Sequence, residues 1–250
     1  MRTIKLTIEY DGTDFNGWQV QSQGNRTVQG EIEKALQTIL KKKVRVYGSG
    51  RTDSGVHALG QVAHFKTSST IPADAICRAL NVNLPRDVAI LQAEDVKRDF
   101  HAQFDAKRKV YRYTILNRQK PCAVNRRFCT HIPYALNVSA MRRGAKDLIG
   151  QHDFRSFVAS DPAKCGKEGS TIRRIYRADL KKRGMYIVFE IEANGFLYKM
   201  VRNIVGTLIA IGARQCSSFS MQNIITAKNR TMAGDTALPQ GLCLMEVKYA

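Results

Sequence analysis

The order of hydrophobic periodicities over residues 1–92 restricts the fold more than any other feature of this 250-residue chain. Residues 1–10 alternate apolar and polar side chains as a strand does from the outset. Residues 27–41 place Val28, Ile32, Ala35, Leu36, Ile39 and Leu40 on one helical face and end in Lys41-Lys42-Lys43, cations that complement the helix dipole. Alternation returns at 44–47 and at 61–66. A second helix is predicted near 72–79 and a further strand around 88–92. The first half therefore reads as one αβ subdomain.

Strand, helix, strand, strand, helix, strand is the split βαβ order of ferredoxin-like and RNA-recognition-motif (RRM) folds. The second half runs in the same sense with insertions. It opens on a basic alternating segment at 105–116 and continues through a polar connection at 117–137. A helix near 139–148 follows, closed by 150–157. Residues 160–170, rich in Gly, Lys and small side chains, are expected to form a mobile loop. Strands at 172–181 and 185–193 are joined by a turn at Lys182-Arg183-Gly184. A helix at 198–211 buries Val201, Ile204, Val205, Leu208 and Ile209, and a strand at 242–249 ends the chain. The pattern predicts an α+β protein of two pseudo-symmetric ferredoxin-like (RRM-like) subdomains, 1–104 and 105–250. Their strands form a central, mainly antiparallel sheet with flanking helices and a basic cleft.

Between the strands at 44–47 and 61–66 runs Gly48-Ser49-Gly50-Arg51-Thr52-Asp53-Ser54-Gly55-Val56-His57-Ala58. This link is about twice the length of a tight hairpin connection, and long ordered loops tend to be functional. Its glycines supply backbone freedom around one cation, Arg51, and one carboxylate, Asp53. A phosphate cradle is set aside, because the Gly-Lys-Ser/Thr ending is missing and a strand, not a helix, follows. By composition alone the loop is a solvated turn. In the segment 11–19, Phe15 and Trp18 read either as rings folded back onto the core or as direct RNA contacts.

Forty Lys and Arg against twenty-one Asp and Glu give a formal charge of +19, which points to a polyanionic partner: RNA, DNA or an anionic membrane surface. Crossing a membrane is not expected, because the longest apolar stretch, around 204–211, is broken by Gly206 and Thr207. The strand-like N-terminus is no signal peptide, so a cytoplasmic protein is expected. Six scattered cysteines without a Cys-x-x-Cys pair indicate neither a zinc site nor a disulfide framework.

The stretch Gly50-Arg51-Thr52-Asp53-Ser54-Gly55-Val56-His57-Ala58 resembles the active-site motif of the tRNA pseudouridine synthase A (TruA) family. The segment 11–19 resembles that family's N-terminal signature. Lys109-Val110-Tyr111-Arg112-Tyr113, His152-Asp153-Phe154, Gly195-Phe196-Leu197-Tyr198-Lys199-Met200-Val201-Arg202-Asn203 and Pro239-Gln240-Gly241-Leu242 are similar to further family segments. The likeness covers nearly the whole chain in family order. One departure is Phe100-His101-Ala102-Gln103, where family members commonly carry Arg at the fourth position.

The resemblance implies isomerisation of uridine to pseudouridine in the anticodon stem-loop of tRNA. The N1–C1′ bond is exchanged for C5–C1′ with no metal, nucleotide or other cofactor, by a homodimer. It makes Asp53 the catalytic acid, either attacking C1′ or removing a sugar proton to give a glycal. Arg202 becomes its ion partner, Tyr111 the ring against the target base and Leu242 a wall of the pocket, while Arg51, adjacent in the loop, is expected either to fill the space left by the extruded nucleotide or to hold the displaced phosphate. Spacing alone reads these differently: Arg202 as a surface helix cation, Tyr111 as a cross-strand aromatic, Leu242 as core, Arg51 as a solvated loop residue. His57 and His101 are given no catalytic role. The segments Lys107-Arg108-Lys109 and Arg142-Arg143 are read as phosphate grips. Two rivals stay open at this level: a non-catalytic RNA-binding module with RRM-like folds, and a uracil-specific glycosylase, which would usually need a second carboxylate.

Overall fold

The structure, a computed structural model, describes residues 1–21, 24–159, 170–213 and 220–249. In chain order the elements are β1 (Arg2–Tyr10), α1 (Val28–Leu40), β2 (Tyr47–Gly48), β3 (His57–Thr67), α2 (Ala73–Asn83), β4 (Val88–Val96), β5 (Arg108–Asn117), β6 (Thr130–Ile132), α3 (Val138–Lys146), β7 (Gly150–Asp153), β8 (Ile172–Arg183), β9 (Tyr186–Ala193), α4 (Met200–Gly212), α5 (Met221–Ala227) and β10 (Leu242–Lys248). Two compact units result: Met1–Lys107 with Cys243–Ala250, and Arg108–Leu242. The mixed architecture with mainly antiparallel pairing is the one the periodicities predict.

The first unit keeps the split βαβ order. Its strands lie β4–β1–β3–β2, all antiparallel. Ile4, Leu6, Ile8 and Tyr10 form the inward row of β1 and are buried with Val28, Ile32 and Leu36 of α1 and Ile76 and Leu80 of α2. Thr27 caps α1 by accepting a hydrogen bond from Gly30 N (3.2 Å). The strand expected at 44–47 shrinks to Tyr47 and Gly48. The reason lies in α1: Glu33 accepts from Val46 N (2.9 Å) and Gln29 donates to Val46 O (3.1 Å), so the helix takes the backbone groups a ladder would use. Helix α2 runs one turn beyond 79, because Asn81 both accepts from Ile90 N (2.8 Å) and donates to Ile90 O (2.9 Å), tying that turn to β4.

The second unit has the order β7–β8–β9–β5, antiparallel, with β6 added parallel to β5. With the short β6 and β7 set aside, its strands and helices run β5, α3, β8, β9, α4, the same succession as β1, α1, β2, β3, α2. On the inward face Tyr113, Ile115, Ile187, Phe189 and Ile191 are fully or almost fully buried. The opposite face is tiled with ions: Arg112 meets Glu190 (2.6 Å), Arg177 meets Glu190 (3.2 Å) and Arg108 meets Glu192 (3.4 Å). Helices α3 and α4 approach closely at Gly144, where an added Cβ would lie 3.2 Å from Ile211 and 3.3 Å from Leu208.

The unit boundary falls after Lys107, not after residue 104, and the terminal strand groups with the first unit. There Cys243 and Leu244 run parallel to His57 and Ala58 of β3. Three elements are not read from the sequence: β6, inside the stretch read as a polar connection; β7, inside the segment read only as closing the third helix; and the seven-residue α5, in a stretch given no element. Residues 160–169, most of the stretch read as a mobile loop, lie outside the described residues.

Candidate active site

The acidic loop is held from both sides by the rest of the first unit. On one side the segment 11–18 lies against it. A Cβ on Gly12 would stand 2.0 Å from Val56 O, and one on Gly17, which has φ +86°, would stand 2.5 Å from Thr52 O. Only glycine permits this approach. Trp18 N donates to Thr52 O (3.1 Å), and Ser54 Oγ donates to Phe15 O (3.0 Å). Phe15 and Trp18 are themselves almost fully buried, so of the two readings of these rings the core one holds. His57 is buried, with Nδ1 3.0 Å from Gly12 N and 3.1 Å from an Asp11 carboxylate oxygen.

On the other side stands β3. Gln61 is completely buried; its Oε1 accepts from Ser49 Oγ (2.7 Å) and Val62 N (3.1 Å), and its Nε2 donates to Gly50 O (3.0 Å). The Tyr10 hydroxyl lies 2.8 Å from Thr52 Oγ1, and burial holds this phenol well above its ordinary pKa. Within the loop Val56 N donates to Asp53 O (3.2 Å), closing a turn whose Gly55 takes φ +78°. Asp53 is half-buried and Arg51 is exposed. These two candidates thus share one clamped loop.

Tyr111, Arg202 and Leu242 belong to the second unit. Tyr111 faces inward from β5, opposite Ile191, with the Phe196 ring edge-on at 5.1 Å. Lys109 lies on the same side of the strand; burial, and then the Arg173 charge, lower its ammonium to about 8. Tyr113 is fully buried: its hydroxyl donates to Leu238 O (2.8 Å) and lies 2.5 Å from Thr130 Oγ1. That bond anchors the segment leading to Leu242, which is 6% exposed, and Gly241 is obligatory because a Cβ there would meet the Tyr113 ring at 2.6 Å.

Arg202 sits in the first turn of α4, half-buried, with Nε donating to Ala237 O (2.8 Å) while Ala237 N donates to its carbonyl (3.1 Å). A buried amide one residue on secures this arrangement. Asn203 donates to Phe157 O (2.7 Å) and accepts from Thr236 Oγ1 (2.6 Å) and Arg230 (3.2 Å). Arg202 is therefore not the solvated surface cation that spacing alone suggests. Its guanidinium is directed by a segment far away in sequence.

The expected phosphate grips are not equivalent. Strand alternation sends Arg108 and Lys109 to opposite faces. Arg108 pairs with Glu192 and lies 4.2 Å over the Tyr176 ring, while Lys109 turns inward. Lys107, Arg142 and Arg143 are all exposed, but Arg142 is tied to the sheet through Nε, which donates to Leu180 O (3.0 Å). His101 accepts the N–H groups of Gln103 (3.2 Å) and Phe104 (3.4 Å) at Nδ1, a local cap. Sequence reasoning passed over Tyr10, Ser49, Thr52 and Gln61. The available signal was a glutamine in the inward row of a strand.

A carboxylate on a clamped loop in a strongly cationic α+β scaffold is the arrangement expected of a nucleic-acid-modifying enzyme. The chain belongs to the tRNA pseudouridine synthase family, whose family model matches residues 6–105 and 145–250. It is 47% identical over 249 residues to a tRNA pseudouridine synthase A of a Thermoanaerobacter species, the match covering 100% of both chains. The enzyme of that name from Anoxybacillus flavithermus is 46% identical over 250 residues, covering 100% of this chain and 99% of the relative. The Caldicellulosiruptor bescii enzyme of that name is 45% identical over 249 residues, 100% of both.

Proposed function

We propose that this protein isomerises uridine to pseudouridine in the anticodon stem-loop of tRNA, as a cytoplasmic homodimer, with Asp53 as the reacting carboxylate. The observation that carries the reading is the fixed acidic loop. A carboxylate repels a polyanion, so a chain of formal charge +19 that commits Tyr10, Ser49, Gln61 and the close-packed Gly12 and Gly17 to holding one acid uses it for reaction. Arg202 acts as counter-charge to that acid, Tyr111 stacks on the base, Leu242 walls the pocket and Arg51 occupies the vacated stack. The matching family segments support these four roles. Extrusion of the nucleotide costs a few kcal/mol, which contacts to the flipped base and to the phosphates repay.

The test uses tRNA carrying tritium at C5 of uridine. Release of tritium with the base retained is expected, and Asp53→Asn is expected to abolish release while tRNA affinity stays within a few-fold. Free uracil in the products would instead identify a glycosylase. Binding without any change in the RNA would identify a non-catalytic module.

A further inference from the structure

Among the described residues Gln61 is out of place by the ordinary rules of a core. It lies in the inward row of β3, directly opposite Ile8, with Ala63 and Phe65 following on the same side, and it is fully buried. A primary amide there is costly unless its two donors and two acceptor positions are all used. Here Oε1 takes hydrogens from Ser49 Oγ and Val62 N and Nε2 gives one to Gly50 O, with the Tyr10 phenol beside the amide. A methionine or leucine would fill such a site without any of these bonds, so packing does not account for the amide.

The network continues from Gln61 through the neighbouring Tyr10 phenol, which burial keeps protonated and whose hydroxyl is hydrogen-bonded to Thr52 Oγ1 at 2.8 Å. Thr52 O in turn accepts from Trp18 N. The chain is therefore pinned at Ser49 and Gly50 before Arg51 and at Thr52 after it. Asp53 comes immediately next, and its own carbonyl is held by Val56 N.

The strands are shaped for the same end. Ile8 pairs with Gln61 but Tyr10 pairs with Ala58, so β3 carries one extra residue between Ala58 and Gln61, the partners of Tyr10 and Ile8. Such bulges re-aim the neighbouring stretch of chain. Gly60, inside the bulge, approaches Met245 O so closely that a Cβ would stand 2.5 Å away, leaving the bulge no room to relax.

We propose that Tyr10 and Gln61 are positioning residues: through Gly50 and Thr52 they set the direction of the Asp53 carboxylate toward the sugar. This rests on the reading of Asp53 as the reacting group. A misplacement of about 1 Å at a reacting atom costs roughly 100-fold in rate, whereas substrate affinity, spread over many phosphate contacts, is insensitive to it.

The variants are Tyr10→Phe, Thr52→Val, their combination, and Thr52→Ser, with Gln61→Met as a volume-conserving partner. Each is measured for single-turnover tritium release at saturating tRNA, for tRNA Kd and for thermal midpoint. Tyr10→Phe and Thr52→Val are expected to slow release about 10- to 100-fold with Kd within twofold, and to lower the midpoint by a few degrees, so that release is read at a temperature where each is folded. The double variant should be no slower than the slower single, because both delete one bond. Thr52→Ser, which keeps the hydroxyl, should recover most of the rate lost in Thr52→Val.

A well-folded Tyr10→Phe with undiminished release overturns the proposal. So do rate losses that vanish when corrected for the folded fraction, and so does simple multiplication of the two single effects. Asp53→Asn run alongside separates the two readings. If it keeps full release, the role of Asp53 itself is wrong; if it is dead while the clamp variants are unimpaired, only the clamp is.

Discussion

Replacing Gly206 by alanine tests how the second unit directs Arg202. In a free-standing helix the change would stabilise by about 1 kcal/mol, since glycine is the poorer helix former. Gly206 lies within α4, but its missing side chain is where the backbone of another segment passes: an added Cβ would lie 1.6 Å from Asp235 O and 2.9 Å from the Asp235 carbonyl carbon. Gly234 packs against it from the other side, a Cβ there meeting Gly206 O at 2.8 Å. Ordinary contact is about 3.5 Å, so residues 234–237 must retreat by roughly 2 Å. Three hydrogen bonds lie across that gap: Gly234 N to Thr207 Oγ1 (2.9 Å), Ala237 N to Arg202 O (3.1 Å) and Arg202 Nε to Ala237 O (2.8 Å). At about 1 kcal/mol for each neutral bond and about 2 for the charged one, some 4 kcal/mol is at risk against the 1 gained. A net loss of about 3 kcal/mol corresponds to a melting point lower by about 10 °C for a protein of this size. Calorimetry and urea titration of wild type and Gly206→Ala measure it, and tritium release at a temperature where both are folded reads the freed Arg202. An unchanged or raised midpoint would refute the packing argument. A lowered midpoint with unimpaired turnover would refute the link to Arg202.

Burial, and then the charges of His101 and Lys66, lower His64 to about 4, while the unfolded side chain keeps its ordinary value near 6.5. Between those values the unfolded chain binds a proton that the folded one refuses, so stability is full above about pH 6.5 and falls by up to about 3 kcal/mol toward pH 4. Urea midpoints at pH 7 and 4.5 should show this loss in wild type and a smaller one in His64→Gln, which keeps an acceptor for Ala102 N; equal losses would exonerate His64. Tyr113→Phe leaves Leu238 O and Thr130 Oγ1 short of a partner in a buried site and should cost about 1–3 kcal/mol, with a urea midpoint equal to wild type counting against the assignment. Trp18 is the single tryptophan, and a Cβ on Gly48 would meet its ring nitrogen at 2.5 Å; Gly48→Ala should therefore shift its fluorescence and lower stability by about 1–3 kcal/mol, and an unmoved spectrum would contradict the contact.

Periodicity alone was enough for the elements that carry their own signal. Strand β1 and helices α1 and α4 come within a residue or two of the ranges read from the sequence, because alternation and the 3.6-residue stripe are properties of the segment itself. The acidic loop was equally legible as an interruption between two strands. What the chain could not announce were elements defined by a neighbour. Strand β6 is three residues long and exists only as a partner of β5; α5 is seven residues and is held by Ser220, which accepts from Asn223 N (3.2 Å), and by the buried Met221, Ile224 and Ile225.

Side-chain roles divide in the same way. Residue types and their order gave the charge, the candidate acid and the family resemblance, because these are written in the chain one residue at a time. Which side of a strand is open depends on what covers it. His64, on the polar side of an apparently alternating strand, is buried beside Tyr47, Phe100 and His101, and Arg202 is aimed by Ala237. Gln61 looks like an ordinary polar strand residue until Ser49, Gly50 and Tyr10 are brought around it. A hydrogen bond needs two groups within about 3 Å, and that proximity between residues distant in sequence arises only when the chain has folded.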